Sequence, residues 1–95
     1  MGNEKIKLQI DELRFSWDED KAEANFRKHG VTFEIATEVF FDENYLEHEE
    51  RRDGETRYQI LGKTFSPLVL FIVFVERITV DDEEIKLMSM KQMEL

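Results

Sequence analysis

"LVLFIVFV", residues 68–75, is the longest apolar run in a chain of 95 residues, and its reading decides the fold. Eight residues fall well short of the roughly 20 that a membrane-spanning helix needs. Val, Ile and Phe are interleaved, with "TFSP" before the run and "VDDEE" a few residues after it. The run therefore reads as a strand apolar on both faces, placed mid-sheet.

Working outward, "VDDEE" turns the chain back into "IKLMSM", an antiparallel neighbour. On the other side, "YLEHEERRDGETRYQILGK" sets charged residues around Asp53-Gly54, and Tyr58 and Ile60 begin an alternation that Gly62 ends. That pattern predicts a hairpin with a short, irregular first arm. Upstream, "EDKAEANFRKH" reads as a helix with acidic residues in its first turn, Arg27, Lys28 and His29 in its last, and Gly30 as a left-handed terminator. Asp18 can cap it, while Ser16 with Glu19 offers a competing capping box, so two starts remain open. His29, poised between a basic run and a glycine, is either a catalytic group or the helix end, and its position favours the helix end.

A second helix follows, with Thr32 as cap and Phe33, Ala36, Val39 and Phe40 at helical spacing, until Asp42, Glu43 and Asn44 stop it. The first segment, "KIKLQIDELRFSW", alternates at Ile6, Leu8 and Ile10 and then shifts phase to Leu13, Phe15 and Trp17. A bulged strand or two strands across a bend would both produce that shift. The expected architecture is α+β: one domain over residues 1–95, an antiparallel β-sheet with two N-terminal-half helices on one face, and residues 1–14 an arm and candidate edge strand.

Charge and composition restrict function. With 22 acidic against 13 basic residues the net charge is -9, which disfavours a broad nonspecific grip on nucleic acid. A polyanion must meet a local basic patch, and a basic protein partner is easier to accommodate. The absence of cysteine excludes disulfides and thiolate metal sites and fits a reducing cytoplasm. The polar start "MGNEKIKLQI" does not read as a signal peptide. Two histidines limit multi-histidine metal centres, and no phosphate-binding loop, nucleotide glycine fingerprint or zincin motif occurs, so no cofactor or metal is expected.

A set of charged residues remains. Glu55 and Arg57 share one strand face, opposite Tyr58 and Ile60. Glu76 and Arg77 end the apolar strand, and Lys86 and Lys91 belong to the last strand or its exit. Gathered together, they would offer cations for a phosphodiester and a carboxylate to move a proton, as metal-free RNA cleavage by an internal 2′-hydroxyl requires. Scattered, they are cross-strand salt bridges. "HEERR", residues 48–52, reads as a solvated surface rather than a ligand cluster.

The run "FSWDEDKAEANFRKHGVTFEIATEVFFD" resembles the N-terminal half of the BrnT family, toxins of prokaryotic type II toxin–antitoxin systems. The Trp17-Asp18 pair, the Lys28-His29-Gly30 helix exit and the aromatic second helix carry the resemblance. "GETRYQILGKT" and "VFVER" continue it less closely, so that it covers residues 15–91. It implies a RelE-like fold, a ribonuclease acting without a metal, and neutralisation by a BrnA antitoxin, a dimeric ribbon-helix-helix protein through which alone DNA would be met. By position, Arg57 and Arg77 would hold phosphate and Glu76 would transfer a proton.

The last strand departs from the family's Arg-Ile-Ile-Ser-Ala-Arg pattern. Lys86 and Lys91 stand where arginines are usual, and "KLMSMKQMEL" replaces the continuation into a C-terminal helix. Lysine keeps the charge but loses the bidentate fork that matches a phosphate. The alternative expectation is thus a catalytically weakened relative that acts as a protein-binding module.

Overall fold

The computed structural model describes residues 4–94. Six strands form one sheet: β1 (Lys5–Ile10), β2 (Leu13–Asp18), β3 (Leu46–Arg52), β4 (Glu55–Lys63), β5 (Val69–Ile78) and β6 (Glu83–Gln92), in the order β1-β2-β6-β5-β4-β3. Helices α1 (Glu19–His29) and α2 (Phe33–Ala36) and a 3-10 turn, Thr37–Phe41, stand between β2 and β3. The α+β class is therefore as the sequence indicates, with the apolar run inside the sheet. One junction differs from an all-antiparallel sheet: β2 joins β6 in parallel, through Phe15 opposite Ile85 and Ser16 opposite Lys86. The helical segment carries the chain across one face to β3 at the far edge, and three antiparallel connections then bring it back to β6 running the same way as β2.

The phase shift in the first segment is a hairpin, with Ile6 opposite Trp17 and Leu8 opposite Phe15 and with Asp11 at φ 54° in the turn. The β3–β4 hairpin departs from expectation. Its first arm is a regular strand in unbroken register from Leu46–Leu61 to Arg52–Glu55, because Asp53 and Gly54, at φ 52° and 78°, supply the positive-φ pair of a two-residue turn.

Alternation assigns the two faces. Phe15, Trp17, Ile60, Leu70, Ile72, Phe74 and Leu87 lie beneath the helices and are buried. Phe40 stands between Phe15 and Phe74, 5.1 Å from each ring centroid, in edge-to-face contacts that add about 0.5–1.5 kcal/mol apiece beyond area burial. A short 3-10 segment is thereby held by tertiary contact and not by its own propensity. The second helix is accordingly four α residues on a Thr32 cap, whose hydroxyl accepts from Ile35 N–H at 3.2 Å, followed by the 3-10 turn. Asp42 ends it and accepts from Asn44 N–H at 3.0 Å and Lys63 N–H at 2.8 Å.

Helix α1 ends as the sequence indicates, with Gly30 at φ 72° donating to the Phe26 carbonyl. At its start, Asp18 is the cap residue by backbone but its side chain makes no capping hydrogen bond, and Ser16 is buried in β2. Neither carboxylate nor hydroxyl caps the helix because both residues are strand members whose side chains project to the opposite, helix-free face. Beyond its short contact with β2, β6 is flanked by α1, where Asn25 Oδ1 accepts from Met90 N–H at 3.3 Å and Asn25 Nδ2 donates to the Lys21 carbonyl at 2.9 Å. One asparagine thus ties the helix to an otherwise open strand edge.

Candidate active site on the open sheet face

The helix-free face collects most of the cations that the sequence singled out. Arg57, one residue before the Tyr58–Phe74 pair, lies on β4 beside Val75, which faces Lys86, which faces Ser16. A row of paired positions thus runs from Val75 through Lys86 to Ser16, and Arg57 extends it on β4, one residue past the last β4–β5 pair. Arg77 lies two residues further along β5, opposite Glu84. Val75, between them on this face, is 4% exposed.

Lys86 and Lys91 are five residues apart, which in a regular strand would put them on opposite faces. The register between β5 and β6 shifts by one residue, from Val73–Ser89 to Phe74–Leu87, so Met88 is the extra residue of a bulge. The bulge brings both lysines to the open face, yet it leaves them on the order of 16 Å apart along the strand. Lys91 faces Phe71, its Nζ 5.8 Å from the ring centroid, and so lies apart from the Arg57–Lys86 row.

Glu76 points the other way. It pairs with Ile85, next to Phe74, and so faces the helix side with Glu47 and Glu83 around a cleft of about 250 Å³ floored by Phe40 and Phe74. Glu76 and Arg77 line a common space only where β4 and β5 part beyond the Tyr58–Phe74 pair, in an open cleft of about 600 Å³ with Thr56 on its wall. Burial raises the pKa of Glu76 above the ordinary carboxylate value, and the charges of Glu83, Glu47 and Glu49 raise it further. Tyr58 is raised likewise, first by burial and then by Glu76, Glu49 and Glu47.

Electrostatically the open face is sorted. Its acidic residues each have a basic neighbour: Asp18 with Lys86 at 3.9 Å, Glu84 with Lys5 at 3.1 Å, Glu50 with Arg52 at 3.0 Å and Glu55 with Arg57 at 3.7 Å. Among the described residues, Arg77, Lys7 and Lys91 have no carboxylate within ion-pair distance. Two further polar atoms on this face, Ser16 Oγ and Arg57 Nε, are buried without a hydrogen-bond partner in the described residues. Such groups mark a surface whose polar demand is incompletely met from within the fold.

Of the five residues named from the sequence, Arg57, Arg77 and Lys86 are brought together, Lys91 stands on the same face at a distance, and Glu76 meets Arg77 only across the parting strands. The sequence reading missed Lys5, Lys7, Ser16 and Asp18, which the parallel β2–β6 contact carries to Lys86. The alternation of Lys5 and Lys7 with Ile6 and Leu8 was the available signal. His29 ends α1, and His48 lies exposed on edge strand β3. No group of three or more His, Cys, Asp or Glu among the described residues is disposed to hold a metal ion, and no described helix is long and apolar enough to cross a membrane.

Residues 17–94 match the sequence model of a protein family described as the ribonuclease toxin, BrnT, of type II toxin-antitoxin systems. No curated protein matches the chain.

Proposed function

The chain belongs to the BrnT family of type II toxin–antitoxin ribonuclease toxins, and on that premise we propose that it cleaves RNA without a metal on the open face of its sheet. The observation that carries this reading is the cross-sheet row of Arg57 and Lys86, with Arg77 beside it and Ser16 Oγ and Arg57 Nε unpartnered. In the proposed reaction a ribose 2′-hydroxyl attacks the adjacent phosphorus, and the 5′-oxygen leaves and takes a proton from water. Arg57 and Arg77 hold the non-bridging oxygens, where fixed guanidinium groups are strongest as negative charge accumulates. Glu76, reached where β4 and β5 part, takes the 2′ proton. Its raised pKa supports that role, since a general base works best near the operating pH.

The partner in this reading is a BrnA-like ribbon-helix-helix antitoxin acting in the same cytoplasm, and DNA is engaged only through it. A type II system supplies an antitoxin, and the cleft floored by Phe40 and Phe74 has a net acidic rim, Glu12, Glu47, Glu76 and Glu83 against Arg14, suited to a basic amphipathic segment. A segment seated there would cover Glu76. The second reading, a weakened relative that only binds its partner, draws on the Asp18 pairing that occupies Lys86 and on the orientation of Glu76.

The test is cleavage of a defined RNA by purified wild-type protein in EDTA, beside Arg57→Ala prepared identically. The expected result is cleavage that persists in chelator and falls at least about tenfold in the variant, about 1.4 kcal/mol of lost transition-state stabilisation. Folded wild-type protein that cuts no RNA refutes the proposal and leaves the binding module.

A further inference from the structure

Where the end of α1 meets the free edge of β6, Lys28 and His29 from the helix and Lys91 from the strand surround a cleft of about 430 Å³ whose floor is Phe71 and Met90. Its remaining lining, Ala24, Asn25 and Ser89, is uncharged. In a chain of net charge -9 this composition is notable, because the clefts around Glu76, Asp82 and Asp42 all carry carboxylates and this one carries none. Two lysines and a histidine from two elements line the cleft that holds this aromatic ring, and Lys91 Nζ lies 5.8 Å from its centroid. The arrangement is held from below: Asn25 is bonded to Met90 N–H, which fixes the last turns of α1 against the strand that bears Lys91.

Aromatic surface beside unopposed cations is the chemistry of single-stranded nucleic acid recognition, in which a base stacks on the ring and the adjoining phosphates lie on the cations. Phe71 belongs to the same sheet face as Arg57, Arg77 and Lys86, and β6 continues from Lys86 through the Met88 bulge to Lys91, which stays on that face. An extended strand crossing the Arg57–Lys86 row can therefore continue along β6 into this cleft, a few nucleotides away. We infer that the Lys28–His29–Lys91 cleft over Phe71 is a subsite for a nucleotide flanking the scissile bond, so that Lys91 grips RNA at a distance from the reacting phosphate. The inference rests on the reading of the sheet face as an RNA-cleaving surface, but it is tested by binding alone.

The probe is a fluorescein-labelled RNA octamer with every 2′-hydroxyl methylated, which cannot undergo internal cleavage, and the readout is fluorescence anisotropy across a salt series. Three proteins are compared: wild type, the Lys28→Gln/Lys91→Gln double variant and Phe71→Leu, each checked for an unchanged circular dichroism spectrum. Both lysines are exposed, so the double variant tests the charges without disturbing the core. It is expected to bind at least about tenfold more weakly, with a log–log salt slope shallower by about 1.4, two contacts at about 0.7 each. Phe71→Leu is expected to lose at least about fivefold, the low end of a base–aromatic stack, with its salt slope unchanged. Unaltered affinity and slope in the double variant overturn the inference even if wild-type protein cleaves RNA and Arg57→Ala does not. Wild-type protein that fails to bind the octamer, but binds a polyglutamate peptide through the same lysines, overturns it in favour of an acidic protein segment. Lysine-dependent octamer binding by a protein that cleaves nothing upholds the subsite and refutes the catalytic reading.

Discussion

Glu76→Gln is expected to raise stability and abolish activity at once. In the folded protein Glu76 is partly desolvated and faces Glu83, Glu47 and Glu49. Its carboxylate is therefore less comfortable than in the unfolded chain, and its folded pKa is raised. A raised acid pKa means that the folded state takes up the proton first. Wild-type stability thus gains as pH falls through the raised folded value towards the ordinary one, and is penalised above both. The glutamine variant escapes that penalty, so it should be the more stable protein at neutral pH. The margin is below about 1 kcal/mol, because largely exposed like charges are screened. For a domain of this size that is a melting temperature higher by at most about 8 °C. The margin should close on acidification through the carboxylate range.

Catalytically the same change removes the proposed base, a contribution of about 10²–10⁴-fold in rate. The assay pairs thermal unfolding, followed by circular dichroism at neutral and acid pH, with RNA cleavage by the same preparations. Destabilisation at neutral pH, or a stability margin that persists in acid, refutes the electrostatic account of the cleft. Cleavage within twofold of wild type refutes proton transfer by Glu76 and returns the carboxylate to the acidic face as a partner-binding group.

Gly62→Ala should lower stability, although alanine usually improves a strand by about 0.5–1 kcal/mol over glycine. Its added Cβ would meet Val39 Cγ1 at 2.8 Å, Asp42 Oδ2 at 3.0 Å and Tyr45 Cβ at 3.1 Å, an overpacking that costs about 1–3 kcal/mol. A midpoint of urea unfolding at or above wild type would show that the 3-10 segment yields freely. Asp42→Asn should destabilise at neutral pH, since hydrogen bonds from Asn44 N–H and then Lys63 N–H hold the folded pKa of Asp42 below the ordinary value. That stabilisation is present above the ordinary carboxylate value and lost as pH falls through the lowered one, so urea midpoints of variant and wild type should converge in acid.

Local chemistry made much of the fold legible. Gly30 terminates α1, Thr32 caps α2, and "LVLFIVFV" is interior, because each follows from one residue's backbone preference or from an unbroken apolar run. Asp18 shows where such reasoning fails: a residue with the right chemistry for a cap also ends a strand, and the strand decides which way its side chain points. The site was legible by residue but not by face. Glu76 and Arg77 are neighbours in sequence, and alternation alone sends them apart. Lys86 and Lys91 should have been separated by the same rule, and a bulge at Met88 reunites their faces. No local signal in "IKLMSM" marks that bulge, which arises where β6 leaves β2 and receives α1.

The net charge of -9 looked like an argument against RNA, and the sheet removes its force by sorting charge across its thickness. Glu47, Glu76 and Glu83 gather on the helix side, where burial and then the charges of Glu83 and Glu47 raise the cost of ionising Glu76. On the opposite side each carboxylate is matched by a cation, so Arg77, Lys7 and Lys91 project a positive surplus locally. Screening at physiological salt, with a Debye length of about 8 Å, confines each field to its own face. A polyanion approaching the open face therefore meets the cations of that face, and a basic partner approaching from the helix side meets the acids. One small sheet can in this way present opposite charges to RNA and to an antitoxin. Because Glu76 belongs to the acidic side but reaches the parting of β4 and β5, an occupant of that side would control the proton transfer proposed for the other.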